Sequence, residues 1–263
     1  MKYLYERPYN FLRKINNKNI FLFLDYDGTL VSIKKTPVLA KLPLSVKSIL
    51  LSLVKNKDIK ICIISGRALK DIKKLVSIRK IIYVANHGMI ISYNNKIIYK
   101  KNLSELLKKK INELKIIIKK NLSDINGILF EDKGEIFSIH YRMVLPKKHE
   151  LVIKKIKKII NEFKKYIILK YGKKIIEIFP LVDINKGRAV KWILKRFDRN
   201  KKFYPVYIGD DLTDEYAFKV LKKKGLTICV GRKKTFAEYY VKNVEEVKCI
   251  LKNIKIKKSI TYE

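Results

Sequence analysis

The chain has 263 residues, 48% of them hydrophobic, with 61 Lys or Arg against 24 Asp or Glu and a formal net charge of +37. That length and apolar content predict one large or two modest globular domains and exclude a disordered chain. No apolar run reaches the ~18 residues of a membrane-spanning helix, and 1–19 carries scattered charges without the apolar stretch of a signal peptide.

The run 20–24 reads as a buried parallel strand. It ends in Asp25-Tyr26-Asp27-Gly28, two carboxylates before a glycine. Burying carboxylates there is costly unless they are paired or bind a metal. The carboxyl edge of a parallel sheet is also where α/β sites form. Asp25 therefore suits a nucleophile that forms an aspartyl-phosphate, and Asp27 an acid/base two residues on. A solvated Asp-x-Asp-Gly turn has the same letters.

A helix is expected over 45–56, then a strand over 59–64 leading to Ser65-Gly66-Arg67 at the start of a second helix, 69–77. The Ser65 hydroxyl and the backbone N–H groups of Gly66 and Arg67 suit phosphate oxygens, although Ser65 read alone is a plain helix N-cap. A strand over 81–85 leads to Asn86-His87-Gly88, and 90–99 reads as a hairpin around Asn94-Asn95.

The middle of the chain changes character. A basic helix over 103–121 precedes two alternating strands in 127–142, a helix over 147–166 and a strand pair at 167–171 and 174–179. Alternation puts Ser138, His140 and Arg142 on one face and groups Glu131 with Lys133, a polar surface suited to sugar hydroxyls and phosphate. Glu177 is a further acid in an apolar strand. A half-solvated sheet face would look the same. These elements predict a small α+β module at 103–182, with 1–102 and 183–263 forming one discontinuous core of strands alternating with helices, an α/β fold.

Lys186 opens a helix over 186–197, where a cation opposes the helix dipole unless it meets an anion. A strand over 205–208 leads to Gly209-Asp210-Asp211-Leu212-Thr213-Asp214-Glu215. Mg²⁺ takes oxygen ligands; Asp25 and Asp210 could supply carboxylates, Asp27 a backbone carbonyl, and Asp211 a direct or water-linked contact. Asp214 could bond this loop or Lys186, or cap the helix over 214–224. A last strand, 226–230, ends at Gly231.

Cys62, Cys229 and Cys249 are isolated, without metal or redox spacing, which points to a reducing cytoplasm. The charge alone argues for a polyanion. Lysine is spread through helices and loops alike, however, and no named nucleic-acid motif or aromatic-interleaved basic stretch stands out. The expected ligand is a small phosphorylated molecule steered by that field, rather than nucleic acid or a membrane.

The segment Asp25-Tyr26-Asp27-Gly28-Thr29-Leu30 resembles the first motif of the haloacid-dehalogenase (HAD) phosphatases, and Ser65-Gly66-Arg67, Lys186 and 209–215 match the other three in order. The resemblance implies a HAD-like Rossmannoid parallel-sheet core with an inserted C2-type cap. It implies Mg²⁺ and catalysis by Asp25, Asp27, Ser65 and Lys186. Together with Glu131-Asp132-Lys133, 138–142 and Glu177 before Pro180, the chain resembles the trehalose-6-phosphate phosphatases from 21 to 231. By that resemblance Glu131, Lys133 and Glu177 hold glucose hydroxyls, His140 lines the pocket, Arg142 reaches the phosphate, and Asn86, His87 and Gly88 face the cap junction. Phe179 departs from the family, which often has a basic residue there. The alternatives are a phosphatase of sucrose 6-phosphate or mannosyl-3-phosphoglycerate, a basic nucleic-acid-binding protein on a HAD scaffold, and the detached phosphatase half of a synthase–phosphatase pair, with 1–19 docking a trehalose-6-phosphate synthase.

Overall fold

The computed structural model describes residues 2–6 and 8–259, and the side chains of all of these except 8–10, 12 and 255–259. The chain forms two compact units, one within 1–100 and 184–263, the other within 101–183. In chain order the first unit begins with β1 (Lys2–Tyr3), α1 (Pro8–Ile15), β2 (Asn19–Asp25), α2 (Leu44–Leu53), β3 (Ile59–Ile64), α3 (Leu69–Val76), β4 (Ile82–Ala85), β5 (Ile90–Tyr93) and β6 (Lys96–Lys100). The second unit holds α4 (Glu105–Leu122), β7 (Leu129–Asp132), β8 (Phe137–His140), α5 (His149–Ile160), β9 (Ile167–Gly172) and β10 (Ile175–Pro180). The first resumes with α6 (Lys186–Phe197), β11 (Phe203–Gly209), α7 (Glu215–Leu221), β12 (Leu226–Val230), β13 (Tyr239–Val241) and α8 (Val244–Ser259).

The first unit is built on a nine-stranded sheet in the order β1-β13-β12-β11-β2-β3-β4-β5-β6. Pairing is parallel from β1 through β4 and antiparallel for the β4–β5 and β5–β6 pairs. β2 lies at the centre and is apolar on both faces because both are covered. Ile20, Leu22 and Leu24 join a core with Leu50 of α2, Ile72 of α3 and Leu251 of α8. Phe21 and Phe23, ring centroids 4.5 Å apart, pack on the other face with Val190 and Ile193 of α6 and Phe218 of α7. Leu4, Phe11 and Ile15 from the first fifteen residues are also spent in the core. The β5–β6 hairpin turns on Asn94 and Asn95, both at positive φ (47° and 64°), the backbone a tight two-residue turn requires.

The second unit has a four-stranded antiparallel sheet, β7-β8-β10-β9. Its pairing sets Glu131 opposite Ser138 and Ser138 opposite Glu177, so the three share one face. The other face carries buried Phe137, Ile139, Ile176 and Ile178. The helix expected over 147–166 is shorter: α5 ends at Ile160, and short 3-10 turns flank it at Pro146–Lys148 and Asn161–Phe163. Among the described residues no helix is long and apolar enough to cross a membrane.

Candidate active site

β2 delivers Asp25 to the carboxyl edge of the sheet, where it is 4% exposed. The chain then turns sharply. The Tyr26 hydroxyl donates to the Ala40 carbonyl at 2.9 Å, and the Gly28 N–H donates to the Val31 carbonyl at 2.7 Å. Gly28 has φ +86°, and a Cβ there would sit 2.1 Å from Asp210 Oδ2. Only glycine lets this turn pass against that carboxylate.

α6 supplies the counter-charge. Its N-cap, Asn185, accepts the Arg188 N–H at 2.9 Å. Lys186, first in the helix and 2% exposed, donates from Nζ to Asp25 Oδ1 and to Asp214 Oδ1, both at 2.7 Å. Burial alone would depress the Lys186 pKa, but Asp214 and Asp25 outweigh it and hold the ammonium above its ordinary range. Asp214 also accepts the Tyr207 hydroxyl at 2.6 Å and the Asp211 N–H at 2.9 Å.

Asp25, Asp210 and Asp214 bring carboxylate oxygens within 4.8 Å of one another. Burial pushes Asp25 well above the usual carboxylate range, with Asp214 and Asp210 adding to it and Lys186 opposing. Burial, then Asp214, pushes Asp210 up to about 6. One buried ammonium thus serves a cluster of three carboxylates, and burial raises the pKa of both Asp25 and Asp210. Asp210 Oδ1 is buried without a hydrogen-bond partner. An all-oxygen donor set, an orphaned acceptor and missing positive charge fit a hard divalent cation such as Mg²⁺.

Asp211 is exposed and caps the turn at Leu212–Asp214 in a reciprocal capping box with Asp214. Asp214, for which the sequence offered the loop, Lys186 or a helix cap, lies inside the carboxylate cluster and bonds both the loop and Lys186. The Asp27 carboxylate is gripped at both oxygens by Arg67, whose Nε and Nη2 donate at 2.7 and 2.6 Å while Nη1 donates to the Pro37 carbonyl. Besides the backbone amide expected to meet phosphate, Arg67 thus brings a side chain that holds Asp27.

Ser65 is buried just past β3 and accepts the Arg67 N–H through Oγ at 3.1 Å. It is not the helix cap, because α3 begins at Leu69 with Ala68 before it. Gly66 faces His87 closely: a Cβ would lie 2.2 Å from Nε2. Asn86 and His87 are buried at positive φ, 50° and 56°, and Gly88 follows against the Asn185 carbonyl.

In the second unit Lys133 donates to Glu177 Oε1 at 3.0 Å, Ser138 Oγ donates to the same oxygen at 3.2 Å, and His140 Nε2 lies 2.8 Å from Glu131 Oε2. Lys133 Nζ is also 3.6 Å from Glu131. Arg142 stands outside this network, exposed, with Nη2 donating to the Lys173 carbonyl at 2.6 Å. Phe179 is buried, with the Lys170 ammonium 4.1 Å from its ring centroid.

A family profile described as trehalose-phosphatase matches residues 23–245, a span that holds every residue of both clusters. The chain belongs to the trehalose-phosphatase family. It is 32% identical over 259 residues to "Probable trehalose-phosphate phosphatase E" of Arabidopsis thaliana, covering 92% of this chain and 72% of that protein. It is similar to the C-terminal domain of the Candida albicans trehalose-6-phosphate phosphatase, at 25% identity and a TM-score of 0.80, with 97% of each chain covered. A haloacid dehalogenase-like hydrolase from Bacteroides thetaiotaomicron, 14% identical with a TM-score of 0.66, shares the fold. The core is accordingly a HAD-like α/β fold of the trehalose-phosphatase type.

Two contributors lie outside the sequence expectations. Tyr207 is a buried hydroxyl donor to Asp214 in an otherwise apolar strand, and Lys233 donates to the Asp210 carbonyl. Tyr207 sits on β11 three residues before Asp210, and the fold brings Lys233 to the same loop.

Proposed function

We propose that this chain hydrolyses trehalose 6-phosphate to trehalose and inorganic phosphate with Mg²⁺. The observation that carries the reading is the buried Asp25–Lys186–Asp214 cluster at the carboxyl edge of β2, in a chain of the trehalose-phosphatase family. Asp25 attacks phosphorus in line, the bond to the sugar oxygen breaks, and Asp27 protonates that oxygen as trehalose leaves. Asp27 then takes a proton from the water that attacks the aspartyl-phosphate, which releases phosphate and restores the Asp25 carboxylate and the Asp27 acid. Asp25, Asp210 and the Asp27 carbonyl would hold Mg²⁺, with Asp211 reaching it through water. Bound there, the cation offsets charge on the phosphoryl oxygens. Lys186 fixes Asp25 through Oδ1, and Arg67 keeps Asp27 oriented. Ser65 and the Gly66 and Arg67 amides receive phosphate oxygens.

Glu131, Lys133, His140 and Glu177 read the sugar hydroxyls, with Arg142 as a phosphate contact and 86–88 completing the substrate surface. The three cysteines suit a reducing cytoplasm, where a trehalose-6-phosphate synthase would supply the substrate.

The test is phosphate release from trehalose 6-phosphate, glucose 6-phosphate, sucrose 6-phosphate and mannosyl-3-phosphoglycerate, with Mg²⁺ and with chelator, for the wild type and Asp25→Asn. Selective, Mg²⁺-dependent turnover of trehalose 6-phosphate that the substitution lowers by at least ~10³-fold is expected. Preferred turnover of another sugar phosphate keeps the chemistry and overturns the substrate.

A further inference from the structure

One lysine of the second unit is out of place. The buried residues of α4 are Ile111, Leu114, Lys115, Ile118 and Leu122, an apolar stripe at helical spacing interrupted by a single cation. Lys109, Lys119 and Lys120 of the same helix are exposed, so the spread of lysine over solvated faces does not account for Lys115. A buried ammonium is costly unless it is hydrogen-bonded. Lys115 Nζ donates to Asp132 Oδ1 at 2.7 Å and to the Gly134 carbonyl. These are the residues on either side of Lys133. Asp132 Oδ1 also accepts the Gly134 N–H at 2.9 Å, and the Lys133 N–H donates to the Ile136 carbonyl at 2.9 Å. The turn between β7 and β8 is thus tied within itself and, through Lys115, to α4.

Lys133 itself turns to the polar face of the sheet, where its Nζ is 3.0 Å from Glu177 and 3.6 Å from Glu131. Lys115 belongs to the other side. Its Nζ lies 5.9 Å from the ring centroid of Phe137, which is on the apolar face. It can therefore act on the polar face only through the turn. Gly134 stands clear of the rest of the protein, with φ +86° and nothing within 4 Å of the place of its missing Cβ. A tip with so little packing needs a tether if the ammonium beside it is to be held in one position, and a group ordered before the ligand arrives costs less to order on binding. We propose that Lys115 is a positioning residue for sugar recognition: by clasping both neighbours of Lys133, it fixes that ammonium among Glu131, Ser138 and Glu177. The inference rests on the reading of this face as the sugar site, and adds to it a residue that touches no ligand.

The test compares two substrates in the full chain: the sugar phosphate that the wild type uses best, and p-nitrophenyl phosphate, which carries no sugar. Lys115→Met keeps the length of the side chain and removes its charge. It should lower kcat/KM for the sugar phosphate about tenfold, chiefly through KM, and leave p-nitrophenyl phosphate within about twofold. Lys115→Arg, which keeps a charged N–H donor, should recover the sugar phosphate to within about threefold of the wild type. Asp132→Ala removes the same clasp from its half-exposed end. It should cost the sugar phosphate about fivefold, which keeps the test open should Lys115→Met not fold. The gain in melting temperature on adding Mg²⁺, a readout of the Asp25 cluster, should match the wild type in every variant. Equal losses on both substrates would reduce Lys115 to a structural contact and overturn the proposal, as would wild-type selectivity in Lys115→Met and Asp132→Ala. A wild type that favours no sugar phosphate over p-nitrophenyl phosphate would overturn the sugar-site reading together with it.

Discussion

Lys186 illustrates how a residue unfavourable by one rule is required by another. A cation in the first turn of a helix opposes the dipole, and burial to 2% removes its water. Two carboxylates at 2.7 Å reverse the balance. Asp210 is the converse case, a carboxylate with one oxygen left unpaired and its pKa pushed up to about 6. The metal-free fold therefore holds the Asp210 proton more tightly than the unfolded chain does. Its contribution to stability is present below the ordinary value of 3.8 and is lost as pH rises through about 6. A cation must displace that proton. The rise in melting temperature on adding Mg²⁺ should thus be several degrees well above pH ~6 and shrink well below it; Asp210→Asn should abolish the gain, as differential scanning fluorimetry would show. Asp25, Asp210 and Lys186 were legible in the sequence because each is chemically out of place, an acid closing an apolar strand or a cation opening a helix. Tyr207 was not, since a tyrosine suits a buried strand anyway. The grip of Arg67 on Asp27 joins residues forty apart, and no local spacing encodes it.

At the scale of elements, the site depends on loops that must approach one another closely. Gly28 is the narrowest point, at φ +86° with Asp210 in the place of its missing Cβ. Gly28→Ala should destabilise the chain by about 1–3 kcal/mol from backbone strain. Because the new methyl displaces the Asp210 carboxylate, it should also remove the Mg²⁺-dependent gain in melting temperature; thermal melts with and without the ion test both effects. β2, β3, β11 and β12 were legible as apolar runs ending in polar turns, since a strand covered on both faces has little freedom of composition. The Asn94-Asn95 hairpin was legible from two residues that tolerate positive φ. β13 was too short to show a period, and α8 mixes lysines into its pattern throughout. The helix near 147–166 was read too long because a 3-10 turn keeps nearly the same spacing as an α-helix.

For the molecule as a whole, a net charge of +37 attracts a doubly charged sugar phosphate over long range. From about 10 to about 150 mM salt the screening length falls from about 30 to about 8 Å. kcat/KM should then fall severalfold while kcat holds, a split that steady-state kinetics across salt concentrations would display. The layout of the chain has another consequence. Phe203 pairs with Asn19, so β2, at the centre of the sheet, lacks its neighbour β11 until late in synthesis. The unit at 101–183 is contiguous and leaves the ribosome complete before that. Translation therefore yields a folded insert hanging from an unfinished sheet whose Phe21-Leu22-Phe23-Leu24 edge stays open. That interval, rather than the finished fold, is when this chain is most exposed to chaperones and to aggregation.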